Sequence, residues 1–366
     1  MQPLFRRIRV ELDWTLLLIL MAIVGIGLIN LYSASRVARE GMFFQQIYWV
    51  ILGFSAFLVV ATIDYRLYNQ YGYIIYGLGI LSLILVLFVG KTVKGSTRWL
   101  GYGPFQVQPS ELMKVVAIIA LAKYLHNDPT PEGRTLKHMA APFALVAFPV
   151  ALILLQPDLG TGMLILLIFF SLMLITKLKI RSLITLLSTG VVILPLTWSF
   201  LLKDYQKRRI LVFLDPSSDP SGAGWHSRQS IYAIGSGRLL GKGYMQGTQH
   251  QFQFLPEHWT DFPYSVWAEE WGFIGSIILL GLYLFLIVWS IRLGAKARDR
   301  FGSLLCFGVG AMFFWHVIIN IGMVTGLVPV VGVTLPLFSY GGSSILTFML
   351  GAGLLMSVGS RRYWGS

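Results

Sequence analysis

The sequence predicts an all-α integral membrane protein of about ten transmembrane helices, with one long extracytoplasmic loop between helices 7 and 8. Three observations carry that expectation. Hydrophobic residues make up 55% of the chain and charged residues only 12%, where an ordinary soluble domain carries about 25% charged. Mean hydropathy is +0.69. Apolar runs long enough to cross a bilayer recur from one end of the chain to the other.

Ten spans follow in order, over about 14–33, 43–63, 71–89, 111–126, 139–155, 159–176, 183–201, 264–291, 303–326 and 338–358. The fourth and fifth are short. The first run, 14–31, has no small-residue cleavage pattern and reads as a span, not a removed leader. Arg6, Arg7 and Arg9 precede it and favour a cytoplasmic N-terminus. An even number of spans then puts both termini inside. On that assignment sixteen Lys and Arg fall in cytoplasmic segments and six in short outer ones, as the positive-inside rule requires. The whole chain, 1–366, reads as a single polytopic membrane domain. The long loop over about 202–263 reads as turns and short helices. No fixed-period repeat is present.

Composition also excludes. The one cysteine, Cys306, lies in an apolar run, so neither a disulfide framework nor a cysteine metal site is available. The formal net charge of +13 is spread over many loops. It forms no single stripe of the kind that binds nucleic acid, and topology together with anionic lipid headgroups accounts for it. The many Trp and Tyr residues read mostly as an interfacial belt.

The outer segments hold the unusual sequence. Glu257–Gly272, EHWTDFPYSVWAEEWG, sets Asp261 just before a span, with Pro263 suited to the first turn of a helix. A carboxylate there is wet on one side and within reach of a substrate held in the bilayer. Glu257, His258, Glu269 and Glu270 surround it in sequence. The last two are expected to neutralise buried donors, and His258 to be solvated. In QPSELMK, Ser110 is a candidate N-cap. Glu111 and Lys114 share a helix face just inside the membrane, either as a structural ion pair or as the lining of a polar cavity beside Asp261. In QPDLGT, Asp158 is placed to cap a helix, with cavity lining as the alternative. DYQKRR (204–209) is a basic cluster on the outer side, either solvated or a clamp for phosphate, since Arg forks match phosphate oxygens. Lys94, Arg98, Arg238 and Lys242 are further cations of that kind. The glycines of 222–243 serve an anion or tight turns. Small residues at 341–344 favour close helix packing. No paired histidine spacing supports zinc. No motif specifies a cofactor; a divalent cation, Mg or Mn, bound by carboxylates and a diphosphate is the alternative.

Taken together, the blocks KGSTRWL, QPSELMK, QPDLGT, DYQKRRILVFLDP, GAGWHSRQSIYAIGSGRLLGKGYMQGTQHQFQFLPEHWTDF, AEEWGFIG and PVVGVTLPLFSYGGSS resemble the SEDS family (shape, elongation, division and sporulation). They run from about residue 91 to the end of the last span. GTQ at 247–249 and AEE at 268–270 are closest to its rod-shape branch. The resemblance implies a peptidoglycan glycosyltransferase of the bacterial cytoplasmic membrane that polymerises lipid II on the outer face for cell elongation. It implies as partners the undecaprenyl diphosphate-linked glycan, a class B penicillin-binding protein that cross-links the product, and other elongation-complex membrane proteins. Asp261 matches the family's essential aspartate, Glu111 and Lys114 its polar pair, and Trp99 its outer-loop tryptophan. Arg208 falls in its basic cluster. Trp259–Thr260 and Pro263 depart from the family pattern without touching Asp261.

The chemistry so implied is an inverting displacement. The donor linkage is α and the product β-1,4, so one substitution suffices. A diphosphate leaves without a proton, unlike the sugar leaving group of a glycosidase. One base, Asp261, and a cationic clamp around Arg208 are then enough. Trp99 would stack on a sugar, and Glu111–Lys114 would hold the cavity open or tune Asp261. A lipid II flippase, or a non-catalytic scaffold of the elongation machinery, is the alternative. A flippase of inverted repeats would show them, and none is visible.

Overall fold

The computed structural model describes residues 12–36, 41–93, 96–102, 105–128, 133–196, 198–199, 204–215, 219, 222–252, 254 and 258–361. Arg6, Arg7, Arg9, Lys94 and Glu257 lie outside them. In chain order the helices are α1 (Trp14–Ser35), α2 (Gly41–Thr62), α3 (Tyr65–Val89), α4 (Pro109–Asn127), α5 (Leu136–Leu155), α6 (Leu159–Ile175), α7 (Ile180–Leu196), α8 (Asp204–Leu214), α9 (Ala223–Ser236), α10 (Thr248–Gln251), α11 (Pro263–Ala295), α12 (Arg300–Val324) and α13 (Gly342–Arg361). Seven of them, α1, α2, α3, α5, α11, α12 and α13, are long and apolar enough to cross a membrane, and α6 is a shorter apolar helix. The chain is a multi-pass membrane protein.

Burial follows position in the bundle. Phe57, Leu83, Ile118, Phe169, Leu286, Phe313 and Phe348 are sealed in the common core. The outer helices instead turn Leu18, Phe44, Leu78 and Phe88 outward, as lipid-facing residues do. α2 packs along α13, α11 along α12, and α3 along α4. The first of these contacts explains the small residues near 342. A Cβ on Gly342 would fall 2.1 Å from the Trp49 ring.

Helix starts are set by local chemistry. Asp13, Asp64, Asp158 and Asp299 each accept a backbone N–H at a helix start, which satisfies donors the first turn leaves free. Asp64 starts α3 at Tyr65, six positions before the expected 71. Ser110 is not the N-cap of α4. Gln108 occupies that position and Pro109 takes the first turn, where a missing N–H costs nothing.

Two features differ from an all-α expectation of straight spans. The segment after α3 folds as three short antiparallel strands, β1 (Lys91–Val93), β2 (Ser96–Tyr102) and β3 (Phe105–Val107), in the order β1-β2-β3. Lys91 pairs with Trp99, and Leu100 with Val107. Helix α11 is also broken at Gly272, at φ 62 and ψ −156. That conformation is essentially restricted to glycine. A turn from the preceding loop fills the break. Lys242 N donates to Glu269 O at 2.9 Å and Gly243 N to Glu270 O at 3.0 Å. In return Phe273 N donates to Arg238 O at 2.9 Å and Ile274 N to Leu239 O at 3.1 Å. The backbone groups that the break removes from the helix ladder are thus paired elsewhere. The approach is so close that a Cβ on Gly237 or Gly241 would lie 2.0 Å from the Ala268 or Glu270 carbonyl oxygen. These glycines of the 222–243 stretch serve backbone packing.

Candidate active site

The site builds up at the end of the bundle that carries the sheet. Four connections meet there: β3 into α4, α5 into α6, the long loop into α11, and α12 into α13.

The α4 start supplies the first group. Lys114 is completely buried, and its Nζ lies 2.8 Å from Glu111 Oε2 and 2.8 Å from His316 Nε2. The Phe348 ring centroid is 5.6 Å from the ammonium. His316 Nδ1 lies 3.1 Å from the Thr334 carbonyl. A carbonyl only accepts, so Nδ1 carries the proton and Nε2 accepts from Lys114. The result is one cation, one carboxylate and one neutral imidazole in a buried row. His316 and Phe348 belong to α12 and α13, so the row joins three helices.

The α5–α6 turn supplies the second. Asp158 is 6% exposed. It caps α6 through Thr161 N and also accepts from Thr161 Oγ1 at 3.0 Å, Gln108 Nε2 at 2.7 Å and Ser110 Oγ at 3.1 Å. Arg98 stands 3.6 Å away and donates to the carbonyls of Gln156 and Pro157. Capping and site assembly therefore fall on one carboxylate. Arg98 ties β2 to the α5–α6 turn. Trp99, next in β2, is half-buried.

The third group is the turn 258–261 before α11. Asp261 is half-buried. Its carboxylate lies over the backbone of Gly332, where a Cβ would sit 3.6 Å from Oδ2. Its carbonyl accepts from Asn320 Nδ2 at 3.0 Å. Neighbouring bonds fix the turn on both sides. Trp259 O accepts from Tyr340 N at 2.8 Å, and Asn30 Nδ2 of α1 donates to Pro263 O at 3.1 Å. Pro263 occupies the first turn of α11 as expected. His258 is not solvated. It is 3% exposed, with Nε2 2.9 Å from the Ala34 carbonyl.

Two more of the sequence-predicted cations, Lys242 and Arg208, are paired. Lys242 Nζ lies 2.6 Å from Glu269 Oε1. Glu269 is fully buried and also accepts from the backbone N–H of Thr248 and Gln249, so it neutralises buried donors. Glu270 accepts from Ser33 Oγ at 2.5 Å. Arg208 on α8 is exposed and lies 3.4 Å from Asp219. The structure thus brings Arg98 to Asp158 and Glu111 to Lys114, while it turns Lys242 to Glu269 and Arg208 to Asp219. Among the described residues no three His, Cys, Asp or Glu side chains stand together as a metal cluster.

His316 and Asn320 were not singled out in the sequence. No motif marks them. The available signal was their spacing: two polar residues one helical turn apart within an otherwise apolar span share a face, and such residues need partners.

Known proteins share this architecture. A chain of a peptidoglycan synthase complex, solved to show how polymerization and crosslinking are coordinated, superposes with a TM-score of 0.83 at 34% identity, covering 97% of this chain and 99% of that one. The rod shape determining protein RodA of Thermus thermophilus superposes with a TM-score of 0.72 at 31% identity, over 97% and 98%. In sequence the chain is 40% identical over 354 residues to the peptidoglycan glycosyltransferase MrdB of Escherichia coli K12, covering 97% of this chain and 95% of the relative. It is 34% identical over 429 residues to the peptidoglycan glycosyltransferase RodA of Treponema pallidum, over 96% and 98%. The FtsW, RodA and SpoVE cell cycle protein family matches residues 13–363, and the chain belongs to that family.

Proposed function

We infer that this chain is a peptidoglycan glycosyltransferase that polymerises lipid II at the outer face of the cytoplasmic membrane. The observation that carries the chemistry is the placement of Asp261. It stands half-buried at the start of α11, held by α12, at the bundle end where the Arg98–Asp158 and Glu111–Lys114 pairs also lie. The reading includes ten spans, with α4, α6 and α7 joining the seven longest, both termini inside, and one polytopic domain over 1–366.

In the reaction an acceptor GlcNAc 4-hydroxyl attacks C1 of the donor MurNAc. The C4–O–C1 bond forms with inversion and the bond from C1 to the diphosphate breaks. Asp261 takes the hydroxyl proton. The departing undecaprenyl diphosphate carries off the electron pair and needs only positive charge nearby. Arg208 supplies it from α8, within exchange of its exposed pairing with Asp219. Lys242 is a further source once Glu269 releases it. Trp99 offers a ring to a sugar. No resident metal is required, and a divalent ion bound by the substrate's own diphosphate would supplement the same charge. The neighbour in a peptidoglycan synthase complex supports a membrane-bound penicillin-binding protein as the cross-linking partner.

The test is Asp261→Asn, purified and given labelled lipid II with that partner. A general base contributes about 10²–10⁴-fold, so polymer should fall by that factor. Undiminished polymer would remove Asp261 from the mechanism. Lipid II crossing vesicle bilayers without polymer would support a flippase instead.

A further inference from the structure

We propose that Asn320 is a positioning residue for Asp261, and that with His316 it locks the 333–334 backbone across the site. The proposal rests on Asp261 acting as the base. Asn320 is fully buried on α12. Both of its amide hydrogens are used on carbonyls: Asp261 O at 3.0 Å and Val333 O at 2.7 Å. The amide orientation is therefore determined, because a flipped side chain would set its oxygen against two carbonyl oxygens. One turn earlier on the same face, His316 donates to the next carbonyl, Thr334 O. Two side chains of one helix thus grip two successive carbonyls of the segment between α12 and α13.

That segment backs the reacting group. Gly332, at φ +75, lies under the Asp261 carboxylate. Thr334 Oγ1 continues to Ser344 Oγ of α13 at 2.8 Å. Hydrogen bonds run from Glu111 through Lys114 and His316 to the Thr334 carbonyl. The peptide bond carries the path to Val333, and hydrogen bonds resume from the Val333 carbonyl through Asn320 to the Asp261 carbonyl. The path thus links the Glu111 carboxylate to the backbone that carries Asp261. Asn320 Oδ1 has no hydrogen-bond donor among the described residues. A buried acceptor left this way costs about 1–3 kcal/mol. Asparagine is therefore a poor choice for packing alone and a good one for presenting two donors.

Asn320 touches only the backbone of Asp261, so it acts through geometry. A misplacement near 1 Å can cost about 10²-fold in rate. Asn320→Ala should lower kcat for lipid II polymerisation about 10- to 100-fold, with KM changed less than about twofold. A double-mutant cycle separates this from general damage. If Asn320 works through Asp261, adding Asn320→Ala to Asp261→Asn should cost little more. Full kcat in Asn320→Ala, or the same loss on both backgrounds, would overturn the proposal. If Asn320→Ala does not fold, Asn320→Ser, which keeps one donor, carries the same cycle. Undiminished polymer from Asp261→Asn alone would instead refute the base assignment, and is read from a different arm.

Discussion

Glu111→Gln is the most informative single change at the site. Lys114 has no exposure and its ammonium has three neighbours: Glu111 at 2.8 Å, the neutral His316 nitrogen at 2.8 Å and the Phe348 face at 5.6 Å. Only Glu111 carries compensating charge among these. Removing one partner of a buried pair costs about 3–5 kcal/mol, because the other charge stays desolvated. Folded proteins hold only about 5–15 kcal/mol in total. At roughly 2 °C per kcal/mol for a large chain, Glu111→Gln should melt roughly 6–10 °C lower in detergent. Replacing both partners, as in Glu111→Leu with Lys114→Met, removes the stranded charge. It leaves the His316 nitrogen without its donor, at about 1–3 kcal/mol, so the double variant should recover half or more of the loss. Thermal melting followed by tryptophan fluorescence measures both. A Glu111→Gln protein that melts within about 1 °C of the parent, or a double variant less stable than either single one, would refute the reasoning. Polymer assays on the same samples then separate two roles. A double variant that is stable and inactive assigns the pair to substrate, and one that is stable and active assigns it to the fold.

Other perturbations have equally definite outcomes. Gly272→Ala forces a Cβ to within 2.3 Å of Gly241 N in a backbone conformation that only glycine takes easily. It should cost about 1–3 kcal/mol in strain, loosen the 237–243 turn, and open that turn to limited proteolysis; unchanged cleavage would contradict the close approach. Asp158→Ala strands the Ser110 and Thr161 donors and removes the carboxylate beside Arg98 and should lose about 3 kcal/mol, whereas Asp158→Asn, which keeps an acceptor for the cap, should lose less. Equal melting points for the two would remove the capping argument. Treatment with EDTA should leave polymer synthesis within about twofold. A larger loss restored by Mg or Mn would add a divalent ion to the charge on the diphosphate.

The helices were legible because a bilayer demands long apolar runs, and those runs are a local property. Their ends were less so. Ser110 looked like a cap on residue preference alone, but Pro109 had already fixed the first turn of α4, which freed the Ser110 hydroxyl to serve Asp158. The strands over 91–107 were missed because seven residues or fewer, rich in Thr and Gly, carry too little alternation to register. The break at Gly272 was hidden at the start of a long apolar stretch, just after Glu269 and Glu270, since hydrophobicity does not encode a backbone angle. At the site, Glu111 with Lys114 and the Asp158 cap could be found by spacing along one helix. His316, Asn320 and the Lys242–Glu269 pair could not, because each partner is distant in sequence and only packing brings it near. The expected solvated role of His258 failed for the same reason: its acceptor, Ala34 O, is 224 positions away.

The interruption in α11 also works as a depth gauge. Beyond Gly272 the helix continues for about 23 residues to Ala295, a rise of about 34 Å, which already exceeds the roughly 30 Å hydrocarbon thickness. The two and a half turns ahead of the break are therefore not needed to cross the oily layer, and the inserted turn holds them in place. A lipid-tethered sugar diphosphate keeps its phosphates at headgroup level and its acyl chain below. Under the proposed function, the stub from Pro263 to Trp271 carries Asp261 toward that level, so the tether would not have to leave the bilayer for its head to be within reach.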